Sequence, residues 1–258
     1  MRLMKRILSA AAVLALSASL LVGCSSGTAS SVPVSASSAA ESTVSSVEET
    51  ASSAVDENEA AAAQLLNDLT GSYQELWPVI LADEYKQTWL DVCTALVGED
   101  NAEAAFEKLS SMVTGDVYGE DAVKAYANGG GAYFCGFTND LATLTFDGET
   151  STISGTDKDG NVLFSHTYHY IGIEPVHGLY EFESDDADSG EFTYFFLAPD
   201  TSAETYHIEF RYGSDAEALS QYDAGEYAYW VASGISTDCD QTMIDNCIEL
   251  FCTENLAG

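Results

Sequence analysis

The sequence predicts a mainly β fold with flanking α-helices, an antiparallel β-barrel with helices before and after it. Three observations lead there. Apolar residues recur three and four apart between residues 60 and 112, the spacing of an amphipathic helix face. After Gly129-Gly130-Gly131 the pattern changes to short stretches of period two, which is the spacing of half-buried strands. Turn pairs such as Asp147-Gly148, Asp159-Gly160 and Ser189-Gly190 separate those stretches, so strands follow one another through tight hairpins. Eight strands in succession can close into a barrel that leaves no edge exposed.

The chain opens with Arg2, Lys5 and Arg6, and residues 7–22 carry no charge. That is the charged and then apolar layout of a signal peptide, and about 16 apolar residues fall short of the roughly 20 that span a bilayer. In Leu21-Val22-Gly23-Cys24 a small residue precedes a cysteine, the cut site of a lipoprotein signal peptidase. Cys24 is therefore the expected lipidation site, carrying acyl chains such as palmitate that hold the protein on the extracytoplasmic side of a cell membrane. Residues 25–56 are mainly Ser, Ala, Thr, Val and Glu with one proline, too polar to bury a core, and read as a flexible tether. Residues 57–258, rich in aromatic side chains, suit one domain. The expected division is 1–23 signal peptide, 24–56 lipidated cysteine and tether, and 57–258 helix-plus-barrel domain.

Within that domain the helical stretches are 60–69, 76–96 and 102–112, separated by turn residues such as Gly98 and Gly115. Trp77, Ile80, Leu81, Tyr85 and Trp89 keep helical spacing and read as core. The expected strands are 132–138, 141–147, 151–155, 161–170, 178–184, 191–198, 205–212 and 227–232, with a closing helix over 242–256. Along the seventh, Ile208, Phe210 and Tyr212 share one face while His207, Glu209 and Arg211 share the other.

Removal of residues 1–23 leaves five basic residues, Lys86, Lys108, Lys124, Lys158 and Arg211, against 42 acidic ones, a formal charge of −37. Such a surface repels phosphate backbones, so nucleic acid is excluded as a partner, and it disfavours self-association, so a monomer is expected. Five cysteines follow Cys24, namely Cys93, Cys135, Cys239, Cys247 and Cys252, an odd number whose spacings match no zinc ribbon. They read as buried thiols or an unassigned disulfide. The acidic stretches 183–191 and 157–160 complete no calcium loop and read as hairpin turns. No Gly-x-Ser-x-Gly, His-Glu-x-x-His or phosphate-binding glycine loop is present, which points away from an enzyme.

Several segments resemble the ZinT/YodA family of zinc-binding domains, which also occur at the C-terminus of some zinc-transporter lipoproteins. Leu69-Thr70-Gly71-Ser72-Tyr73 and Leu76-Trp77-Pro78 are similar to that family's helical entry, and Val123-Lys124-Ala125-Tyr126 to its lead into the barrel. Phe196-Leu197-Ala198-Pro199 and His207-Ile208-Glu209-Phe210-Arg211-Tyr212-Gly213 resemble its apolar-Ala-Pro segment and its ligand-bearing strand. The resemblance implies a lipocalin-like, or calycin, barrel, zinc held by three histidines, and hand-over of the metal to a transporter such as a metal ABC system. The three ligand positions fall at Phe195, His207 and Glu209, so a single histidine remains.

Glutamate also ligates zinc. His207 and Glu209, joined by either His166 or His169 and a water, would make a tetrahedral divalent-metal site. His166 and His169 lie three apart and face opposite ways, so at most one of them joins His207 inside the barrel. The same residues read most simply as an ion cluster of His207, Glu209 and Arg211, in a barrel that has lost the metal and serves as a surface interaction module or small-ligand binder.

The lipoprotein reading is tested by fractionation. Cys24→Ala is expected to move the protein from the membrane fraction to the soluble one, and continued membrane association would remove the anchor.

Overall fold

The computed structural model describes residues 57–199, 205 and 207–256. The expected signal peptide, Cys24 and the tether lie outside the described residues. Residues 57–68 are helical (α1). They lead into strand β1 (Gly71–Glu75), helix α2 (Leu76–Ile80), a 3-10 turn (Asp83–Tyr85), α3 (Lys86–Val97), α4 (Glu99–Val113) and α5 (Glu120–Ala127). Strands β2 (Thr143–Asp147), β3 (Thr152–Thr156), β4 (Val162–Ile173), β5 (Tyr180–Ser184), β6 (Tyr194–Leu197) and β7 (His207–Gly213) follow. The short helix α6 (Ala216–Leu219), strand β8 (Ala232–Ser236) and helix α7 (Gln241–Leu256) complete the domain.

The eight strands form a closed barrel in sequence order, every neighbour antiparallel, with β8 returning to β1. Two of its members differ from those expected. Residues 132–138 are not a strand, and Phe134 makes only isolated bridges with Thr114 and Trp230. The first strand is instead Gly71–Glu75, wedged between two helices. Five residues with three polar side chains show little period of their own. Their extended state comes from pairing with both β2 and β8, a long-range contact that local pattern does not report. The last strand starts at Ala232 rather than at 227, because Tyr229 sits in the left-handed region at φ 57° and breaks an extended run. The single expected helix over 76–96 is divided at Leu81, and the 3-10 turn separates its halves.

Two cores result. Inside the barrel Phe146, Ile153, Phe164, Phe182, Phe195, Phe210 and Tyr212 pack together. Outside it, a second cluster of Trp77, Ile80, Trp89, Leu109, Ile235, Ile248 and Phe251 lies between the helices and the wall. Trp77, Ile80 and Trp89 are buried as their spacing predicts, while Leu81 and Tyr85 sit half-buried at the edge of that layer. Trp77 and Trp89 meet Phe251 of α7 edge-on, with centroids 4.8 and 5.9 Å apart. The Trp89 indole donates to the Ile80 carbonyl at 2.7 Å.

The hairpins carry their own fastenings. The Asp157 carboxylate accepts from the Asp159 and Asn161 amides and from the Asn161 side chain, each at 2.8 Å, which closes the β3–β4 turn. Those bonds hold its pKa below the usual carboxylate range. The acid thus fastens a turn, as the reading of 157–160 predicts.

Inward packing is tightest at Gly155 of β3, which faces Leu144 and Phe164 across the sheet. A Cβ there would lie 2.4 Å from Leu141 Cδ1 and from Phe164 Cε1. Gly155→Ala is expected to lower stability by about 1–3 kcal/mol through overpacking. Thermal melting measures it, and an unchanged midpoint would mean a looser interior than the packing indicates.

Candidate metal-binding site

Strand β7 places the sequence-derived site residues, and its register fixes their sides. His207 stands opposite Ile235, Glu209 opposite Ser233, and Arg211 opposite Phe196. Ile235 belongs to the helix-covered layer, so this face of β7 is the outer one. Ile208, Phe210 and Tyr212 point into the barrel. The expectation that His207 lies inside the barrel is therefore corrected: the apolar alternate residues of β7 take the interior, and the three ionisable ones are left on the outer wall, His207 beneath α2 and α7 and Arg211 beneath residues 219–227.

His207 Nδ1 meets Thr205 Oγ1 at 2.6 Å. Its ring lines a cleft of about 10 Å³, the size of one water, together with Trp77, Ile80, Cys247 and Phe251. The Cys247 thiol donates to the Thr205 carbonyl at 3.1 Å, so one residue fastens both groups. The residue keeps part of its surface open, yet burial of the imidazole pushes its pKa down to about 4, leaving a neutral ring at pH 7. Burial likewise pushes the Cys247 thiol up to about 12. Glu209 is 5% exposed. Burial foremost, and then the Glu209 carboxylate, raise the pKa of the neighbouring Cys135 thiol.

Arg211 is fully buried. Its guanidinium donates to the carbonyls of Leu219, Tyr227 and Gln221 and lies 4.1 Å from the centre of the Tyr222 ring. Behind Tyr222 the His177 ring packs at 3.6 Å, and the buried Glu174 carboxylate accepts from the Val176 and His177 amides at 2.9 and 2.6 Å. Burial raises the Glu174 pKa, but bonds from His177 and Val176 outweigh it and bring the value below normal.

The other two candidate ligands lie elsewhere. His166 pairs with Ile153 on the inner side of β4 and meets Asp186 at 2.7 Å. His169 pairs with Glu183 on the outer side and meets Asp185 at 2.7 Å. Neither joins His207, because β4 and β7 are separated around the wall by β5 and β6. Phe195 faces inward, its ring 5.4 Å from Tyr212 and 5.9 Å from Phe164, on the opposite side of the wall from His207 and Glu209. Among the described residues no three His, Cys, Asp or Glu side chains stand close enough to hold one ion.

A three-histidine site therefore does not assemble. The donor types that zinc takes do gather on the outer wall: a neutral imidazole at His207 and a thiol at Cys247 on one cleft, with Glu209 next along the same face. Sequence reasoning missed Cys247 and Thr205. The period of Ile244, Cys247, Ile248 and Phe251 marks a buried helix face, but not the wall that it meets.

Fold and site thus define a helix-flanked, closed antiparallel barrel with a buried polar strip on its outer wall. No family model and no curated protein matches the chain. Among solved structures it is similar to the zinc-bound ZinT-like domain of AdcA from Streptococcus pneumoniae, at 16% identity over 71% of this chain and 89% of that one, TM-score 0.45. It is also similar to zinc-bound AdcA from the same organism, at 14% identity over 72% of this chain and 35% of that one, TM-score 0.43. The chain spans about a third of that longer protein.

Two outcomes follow from the electrostatics of β7. The His207 pKa in the folded chain, about 4, lies below its ordinary 6.5, so the unfolded chain takes up the proton first as pH falls. The neutral ring's contribution is fully present above about pH 6.5 and is lost between there and about 4. Denaturant melts across that window should show a shallower loss for His207→Phe than for the native chain, and equal slopes would argue against a neutral buried ring. Arg211→Met keeps bulk but strands three carbonyls, and is expected to cost about 2–5 kcal/mol in the same assay.

Proposed function

We propose that the chain is a lipid-anchored extracytoplasmic protein whose domain captures a divalent metal, zinc first, on the outer wall of the barrel. The observation that carries this reading is the cleft beneath α2 and α7, which the neutral His207 imidazole and the Cys247 thiol line together. His207 and Cys247 are the two side chains that would hold the ion, with water completing its shell, since no third His, Cys, Asp or Glu stands close enough among the described residues. A bound zinc would supply a capturable cargo and no chemistry, so the activity is binding. The resemblance of 207–213 to the ligand strand of ZinT-like domains supports the same cargo, and Leu21-Val22-Gly23-Cys24 supports the anchor. Delivery to a membrane metal transporter follows from that placement.

A thiol must lose its proton to ligate. Burial holds the Cys247 proton on until well above neutral pH, so uptake should release a proton and weaken as pH falls.

A second reading is favoured by β4, whose Val162, Leu163, Ile171 and Ile173 stay exposed. In it the barrel is a surface interaction module with no metal.

Zinc titration separates the two. If zinc binds the folded chain alone, a concentration 100 times its dissociation constant adds about 2.7 kcal/mol. At roughly 2–4 °C per kcal/mol for a domain of about 200 residues, the melting midpoint rises by about 5–11 °C. His207→Ala and Cys247→Ser are each expected to abolish that rise, whereas His166→Ala and His169→Ala leave it intact. A midpoint indifferent to zinc at neutral pH gives the interaction module instead.

A further inference from the structure

The structure assigns Cys93 and Cys252 to a disulfide that ties the helix before the barrel to the helix after it. Cys93 lies on α3 and Cys252 on α7, 159 residues apart in sequence, and their sulfurs are 4.0 Å apart. Both residues have no exposed surface. The helices are held together beside them by Trp89 and Phe251, whose rings meet edge-on at 5.9 Å. A disulfide places its sulfurs about 2.05 Å apart, so forming the bond draws the two sulfurs together from 4.0 Å. Of the other cysteines, Cys247 is already fastened to the Thr205 carbonyl, and the buried Cys135 meets the Ser233 and Trp77 side chains.

The oxidant is a second disulfide, either a small one such as glutathione disulfide or that of a thiol–disulfide oxidoreductase. One chain thiolate attacks a sulfur of that disulfide and releases its first thiol, giving a mixed disulfide. The other chain thiolate then attacks the chain sulfur, forming the Cys93–Cys252 bond and releasing the second thiol. The chain loses two protons and two electrons, and the oxidant gains them. Burial holds both thiols protonated once α7 has docked, so the bond forms during folding and the folded, reduced chain oxidises slowly. In the cell the inference rests on the extracytoplasmic placement proposed above. Its chemistry does not.

The full chain is reduced, unfolded, and refolded in a glutathione and glutathione disulfide buffer without zinc. Free thiols are alkylated and the product is cut after glutamates. Cys93 then falls in peptide 85–99 and Cys252 in peptide 250–254. The two peptides are expected joined, lighter than their sum by two hydrogens. Closing so long a loop should also raise the melting midpoint of the oxidised chain by about 5 °C or more over the reduced one. Cys252→Ser should melt alike in both conditions. Recovery of peptide 250–254 alkylated, or joined to a peptide bearing Cys135, Cys239 or Cys247, would overturn the assignment. No zinc is present, so failure of the metal reading leaves this outcome unaffected. A chain that is never exported would still form the bond in the buffer while keeping free thiols in the cell.

Discussion

The pairing of β1 with β8 is the contact on which the rest of the domain depends. Tyr73 faces Ser236 and Glu75 faces Gly234, so a five-residue strand near the start of the domain closes a sheet whose last member lies some 160 residues later. Without it the wall has two open edges, and the row of unpaired amides and carbonyls would seek other partners. Closure also fixes the helices. The helix 57–68 ends two residues before β1 and α2 begins directly after it, so both are anchored to the wall by the strand between them. The Glu75 carboxylate adds a fastening across the barrel mouth, where it accepts from the Phe137 amide at 2.7 Å.

Covering one side of the wall with helices changes what the strands there carry. The outer face of an exposed barrel is polar and solvated, and its inner face is packed. On β7 the interior is taken by Ile208, Phe210 and Tyr212, yet the outer residues are not left in water. They lie beneath α2, α7 and the loop that carries Tyr222 and Tyr227. A buried charge needs partners, and Arg211 finds them in three carbonyls and an aromatic face. It thereby gathers the chain between β7 and β8 into one place. His207 takes the other solution and stays neutral. Its imidazole lines one cleft of the outer wall with the Cys247 thiol, while the barrel interior is filled by side chains.

The aromatic interior has a consequence for ligands. Phe164, Phe195, Phe210 and Tyr212 stack through the barrel with centroids 5.4 to 6.4 Å apart, and that space is filled by side chains. A small barrel can either pack its interior or hold a ligand there. This one packs it, so the residue at position 195 serves the core. His166 and His169 are engaged with Asp186 and Asp185 at the rim of the barrel, and the acidic loop that looked like a turn in the sequence holds both.

The sequence by itself determined what depends on neighbours a few residues apart. The helical stripe of Trp77, Ile80 and Trp89, the hairpins at Asp147-Gly148 and Asp159-Gly160, and the alternation that puts His207, Glu209 and Arg211 on one face are all local periodicities. Tertiary structure decided what depends on residues far apart. It made Gly71–Glu75 a strand, because only β2 and β8 supply its hydrogen bonds. It chose which side of the wall is covered, since alternation separates two faces without saying which one meets the core. It also brought Cys247 to His207 and Cys252 to Cys93, contacts between the two ends of the domain that exist only once the barrel has closed and α7 has packed across it.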